Sequence, residues 1–130
     1  MVDVGARIVV GADASLLIGD DTYIGKNATL SAFGTITIGS KVLLGENVSI
    51  HTEDHGPPNA RLEYKIAPVA IGNQSWLGAG VVVTRGVAIG KNATIGANAV
   101  VTHDVPADAV AAGVPARIIR SAASDDGEAP

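Results

Sequence analysis

An aliphatic residue followed by glycine returns every six residues through most of this chain, and few folds accommodate such a rhythm. It reads Val4-Gly5, Val10-Gly11, Ile18-Gly19, Ile24-Gly25, Ile38-Gly39 and Leu44-Gly45, then resumes at Ile71-Gly72, Leu77-Gly78, Ile89-Gly90 and Ile95-Gly96. Leu30, Ile50, Val83 and Val101 keep the register without the glycine. Val10 to Ile18 and Leu30 to Ile38 are spaced by eight instead of six. Triplets at 18/24/30 and 38/44/50 therefore repeat every 20 residues, and those at 71/77/83 and 89/95/101 every 18. A glycine at every sixth position would break a helix, and the anchors do not follow a 3.6 period.

A second small or aliphatic residue stands two before each anchor, as Val42 before Leu44 and Ala93 before Ile95. That is a short strand with one face turned inward. Gly-x-Asn after the anchor (Gly25 to Asn27, Gly45 to Asn47, Gly90 to Asn92) supplies turn residues that tolerate positive φ. Three strand-turn units close a triangular coil, and coils stacked roughly 4.8 Å apart make a parallel β-helix. The expected fold is all-β. Aromatics are only 3% of a chain that is 47% hydrophobic, so the columns inside must be aliphatic.

The division follows from where the rhythm is interrupted. The coil is expected over 1–104, broken once by a protruding loop at about 52–67. Past Val101 the rhythm stops, Asp104-Val105-Pro106 ends the last coil, and 105–120 forms a C-terminal capping segment. The small, acidic stretch 121–130 is expected to be disordered. At the other end the repeat starts at Val4 with no preceding cap, so either another subunit covers the first coil or it frays.

Between Ile50 and Ile71 lie 21 positions, about fifteen more than one rung needs, and long loops on regular scaffolds are often functional. His55 sits in that loop, within Glu53-Asp54-His55-Gly56. An imidazole suits proton abstraction near neutral pH. A net charge of −4 without a basic stripe excludes a nucleic-acid footprint. No apolar run is long enough to cross a bilayer, so no membrane insertion is expected. The absence of cysteine removes thiolate metal sites and covalent thiol relays, and makes a cytoplasmic protein the expectation. His51, His55 and His103 are too unevenly placed to form a three-histidine metal site, so none is assigned.

Beyond the repeat, the segments DHG, NQSWLGAG, VVTHDVP and AAGVPARIIR together resemble the hexapeptide-repeat acyltransferases over about residues 18–120. The likeness is greatest to the galactoside, maltose and serine acetyltransferases and the acetyltransferases of polysaccharide synthesis. The resemblance implies a left-handed β-helix that works as a homotrimer, with clefts between neighbouring prisms, and leaves open whether trimers stack further. It implies acetyl-CoA as co-substrate and direct acetyl transfer to a hydroxyl of a sugar or related small acceptor. By its matches, His55 is the general base, Asn27 and Trp76 contact the acceptor, and Trp76 also borders the coenzyme. Ala79, Ala97 and Thr102 line the pantetheine channel, and Arg117 and Arg120 meet the nucleotide end. One departure stands out: Ser31-Ala32-Phe33-Gly34 occupies the place of a family carboxylate, which leaves the acceptor open. Two other classes remain, a γ-carbonic-anhydrase-like zinc enzyme and a non-catalytic β-helix used for assembly.

Overall fold

The computed structural model describes residues 1–121, so the tail expected at 121–130 lies, Ser121 apart, outside the described residues. Among those residues there are strands and turns and no helix. The chain winds as a left-handed parallel β-helix with three faces. Arg7–Val10, Thr29–Ala32, Ser49–His51, Val82–Val83 and Val100–Val101 form the first face. Leu16–Ile18, Ile36–Ile38, Val69–Ile71 and Ala88–Ile89 form the second. The third carries Tyr23–Ile24, Leu43–Leu44, Trp76–Leu77, Thr94–Ile95 and Val110–Ala112.

The in-register pairing stacks like residues into columns. Leu30, Ile50, Val83 and Val101 align on the first face, Ile18, Ile38, Ile71 and Ile89 on the second, and Ile24, Leu44, Leu77 and Ile95 on the third. Every buried hydrophobic side chain described is Ala, Val, Ile or Leu. The aromatic rings stay outside because a prism this narrow has no room for them: Phe33, Tyr64 and Trp76 are exposed.

Three details depart from the sequence reading. The first coil is displaced by two residues: Ile8, not Val10, pairs with Leu30, and Val2, not Val4, bridges Ile24. A shift of two keeps the same side chains inward, so the pattern alone cannot detect it. The second concerns the corners. Where a non-glycine residue takes positive φ it stands three residues after an inward-facing aliphatic one, at 56–63° for Asp21, Asn27, Lys41, Asn47, Gln74, Asn92, Asn98 and Asp108. The repeat glycine has a different reason. A Cβ on Gly45 would stand 2.7 Å from the Ala79 nitrogen of the next coil, so the stacking distance itself excludes a side chain there. Third, the parallel ladder does not stop at Val101. Val105 bridges Ile89, and Val110–Ala112 lies on Thr94–Ile95. Only then does the chain turn back, with Arg117–Arg120 antiparallel on Val110–Ala112.

Candidate active site

The interruption after Ile50 is a β-hairpin. Glu53–His55 pairs antiparallel with Tyr64–Ile66, placing His55 opposite Tyr64. Its base is closed by the Ala67 amide donating to the Thr52 carbonyl at 2.9 Å. Thr52, fully buried, anchors that base to the coil below. Its hydroxyl accepts from the amides of Phe33 and Gly34, each at 2.9 Å, and donates to the Ser31 carbonyl at 3.2 Å.

His55 is held by two contacts. Its ring lies 5.2 Å from that of Tyr64, tilted by 32°. Its Nδ1 is 2.9 Å from the Arg61 carbonyl oxygen, across the tip of the hairpin. A carbonyl can only accept, so Nδ1 carries the proton and Nε2 of the neutral ring keeps its lone pair. A backbone group thus sets the orientation and the neutral tautomer of the imidazole. Neither neighbouring carboxylate bonds to the ring. Asp54 accepts from the His55 amide at 2.8 Å and reaches Arg85 Nε at 3.9 Å, an exposed pair of little energetic weight.

A cavity of about 400 Å³ opens beside the ring, lined by Phe33, Glu53, His55, Tyr64 and Ile66. Glu53 Oε2 accepts from the Ser31 hydroxyl at 2.7 Å, while Oε1 is buried without a partner. A carboxylate oxygen left so costs on the order of 1–3 kcal/mol of desolvation in the folded state. Sequence reasoning missed this wall. Phe33 is the chain's single phenylalanine and Glu53 is two residues from His55, signals that were available but unassigned.

The other residues singled out by sequence are not gathered around His55 within one chain. Asn27, Ala79 and Ala97 occupy corners between the third and first faces, and the Asn98 amide donates to the Ala79 carbonyl at 2.8 Å along that edge. Asn27 adopts φ 58°, and its side-chain oxygen lies where a Cβ of Gly5 would stand, which accounts for it as a turn residue. Trp76, 56% exposed, points outward on the third face between Leu43 and Thr94. Thr102 lies on the edge from which the hairpin leaves, one coil above Thr84, and its hydroxyl is 3.0 Å from His103 Nδ1. Arg117 shares a cavity of about 350 Å³ with His103 and Asp104, and Arg120 closes the same strand opposite Val110. His51 borders a third cavity, of about 240 Å³, with Glu53, Asp54, Thr84 and Arg85. The three histidines therefore sit in three places, and no three His, Cys, Asp or Glu among the described residues could share a metal ion.

Comparison with known proteins bears on this arrangement. Residues 68–103 match the family described as bacterial transferase hexapeptide (six repeats), and 15–51 match the hexapeptide repeat of succinyl-transferase. The chain is 40% identical to the galactoside O-acetyltransferase of Escherichia coli (strain K12), across 82% of this chain and 54% of that one. Among solved structures, the hexapeptide-repeat containing acetyltransferase VCA0836 of Vibrio cholerae superposes with a TM-score of 0.79 at 32% identity, over 91% of this chain and 71% of that one. The chain belongs to the hexapeptide-repeat acetyltransferases. VCA0836 has also been solved with acetyl-CoA bound, and that structure matches with a TM-score of 0.82 at 35% identity, over 89% and 64% of the two chains. The maltose O-acetyltransferase of Clostridium difficile 630 aligns with a TM-score of 0.83 at 33% identity, over 93% and 66%. This member of the hexapeptide-repeat acetyltransferases spans about half the length of the curated relatives it matches.

Proposed function

We propose that this chain transfers acetyl from acetyl-CoA to a hydroxyl of a sugar or related small acceptor, with His55 as general base. The observation that carries the reading is the Nδ1 contact to the Arg61 carbonyl, which selects the neutral tautomer whose free lone pair is on Nε2, in a residue that lines a cavity. Nε2 takes the proton of the acceptor hydroxyl as its oxygen attacks the thioester carbonyl. The C–S bond of the tetrahedral intermediate then breaks, and the imidazolium returns the proton to the departing coenzyme thiolate. Backbone amides near the thioester would stabilise the oxyanion.

The site is completed between subunits of a homotrimer. What supports this is the split of the residues: Asn27, Ala79 and Ala97 on one edge of the prism, His55 and Thr102 on another. A neighbouring copy related by a threefold axis would bring the two edges together. The outward stripe of Tyr23, Leu43 and Trp76 on the third face gives such packing apolar area. Thr102 and the alanine edge would border the pantetheine arm, Trp76 would face both ligands, and Arg117 and Arg120 would meet the nucleotide phosphates. The reading places the protein in the cytoplasm, where acetyl-CoA is supplied, and needs no metal.

Calorimetric titration with acetyl-CoA tests the class. Wild-type protein is expected to bind in the micromolar range, and Arg117→Ala to weaken binding roughly tenfold or more, as loss of a charge-assisted hydrogen bond would. No binding at millimolar acetyl-CoA would end the proposal. Free-thiol release with a panel of glycosides then reads turnover, and His55→Ala should lower it by about 10²–10⁴ while sparing acetyl-CoA affinity. Near wild-type turnover in that variant would remove His55 from the chemistry.

A further inference from the structure

The described residues contain one buried side-chain oxygen with no hydrogen-bond partner, and it lies beside the proposed base. Glu53 and His55 are alternate residues of one strand, so both side chains project from the same side of the hairpin. Both line the cavity of about 400 Å³. The Ser31 hydroxyl fixes Oε2 at 2.7 Å, and this holds the carboxylate in place with Oε1 unspent. Arg85 shares the adjoining cavity with Glu53, but its Nε is directed at Asp54 Oδ2.

We propose that Glu53 selects the acceptor: its carboxylate, held at the cavity wall without a compensating cation, turns away acceptors that carry an anionic group there and admits neutral, polyhydroxylated ones. The rest of the wall suits such a ligand. Phe33, Tyr64 and Ile66 offer apolar surface for the C–H face of a pyranose ring, while its hydroxyl edge meets His55. An acceptor carboxylate or phosphate in the same place would face a fixed negative charge in an apolar-walled cavity, with no cation among its lining residues.

This inference rests on the transferase reading for the role of His55, but acceptor binding can be read without acetyl-CoA. Saturation-transfer NMR and calorimetry on the full chain would compare a panel of methyl hexopyranosides with their uronic-acid counterparts, which differ by one carboxylate. Wild-type protein is expected to bind at least one neutral member ten times or more tightly than its uronic partner. Glu53→Gln preserves the shape and the Ser31 bond but removes the charge, and should leave neutral binding close to wild type while shrinking the preference at least fivefold. Equal binding of neutral and uronic ligands to wild type would overturn the proposal without recourse to any variant. So would an unchanged preference in Glu53→Gln, or no binding of any neutral pyranoside at millimolar concentration. If sugars bind as expected and acetyl-CoA does not, the transferase reading falls and the assignment of Glu53 stands.

Discussion

Thr52 shows how much of the site depends on one hydroxyl. It has one proton to give and two lone pairs, and all three are used: two amides of the Phe33-Gly34 corner donate to it, and it donates to Ser31. The bonds tie the hairpin carrying His55 to the coil below, and they fix the corner that presents Phe33 to the cavity. Thr52→Val keeps the volume and strands both amides, so denaturation should show a loss of about 2–3 kcal/mol, with Thr52→Ser close to wild type. An equal loss in both variants would mean the γ-methyl, not the hydroxyl, is what matters. Legibility at this scale was uneven. His55 stood out because an imidazole in a fifteen-residue surplus needs a reason. Thr52 and Glu53 did not, because their partners lie 18 to 22 residues back, on a coil whose register must be known first.

At the scale of the rung, the hexapeptide rhythm gave the strands and columns directly, but not the reason for its glycine. Glycine and asparagine both read as turn formers, and only the stacked neighbour separates them. Gly45 meets the backbone of the next coil, which cannot yield as a side-chain tip could. Gly45→Ala should therefore cost about 1–3 kcal/mol. The left-handed corner two residues on tolerates substitution by type. Lys41 holds φ 57° in a place where most coils have Asn, Asp or Gly. A lysine has no local hydrogen bond to offset that conformation, so Lys41→Asn should stabilise by up to about 1 kcal/mol in the same assay. A neutral result for Gly45→Ala beside a destabilising Lys41→Asn would reverse the two roles. The two-residue slip of the first coil escaped the sequence for a related reason: a period-two pattern reports which face is inward and not which partner is opposite.

Across the whole molecule, a solenoid is a stack in which each coil supports only its neighbours, so stability follows position along the axis. The columns are fully buried in the middle, whereas Val2, Ile8 and Ile18 are 51%, 43% and 38% exposed. Opening should start at that end, and hydrogen exchange should be fastest over the first coil and slowest around Ile38, Leu44 and Ile50. A side-chain bond helps hold the first coil down: the Tyr23 hydroxyl donates to Asp3 Oδ2 at 2.5 Å. That bond, with help from the Val4 amide, lowers the Asp3 pKa, and the same carboxylate raises that of Tyr23. A carboxyl depressed on folding stabilises above its unfolded value, about pH 4, and loses the contribution as pH falls through its folded value. A phenol raised on folding stabilises below about pH 10 and loses it as pH rises through its folded value. The stability lost in Tyr23→Phe should therefore be constant from about pH 5 to 9 and shrink on both sides. Both groups face solvent, so the effect belongs to the first coil and not to the columns. Urea denaturation of the pair across pH reads it: a difference that ignores pH would mean the hydroxyl is not what secures the first coil, and that its backbone ladder to Ile24 and Leu30 suffices.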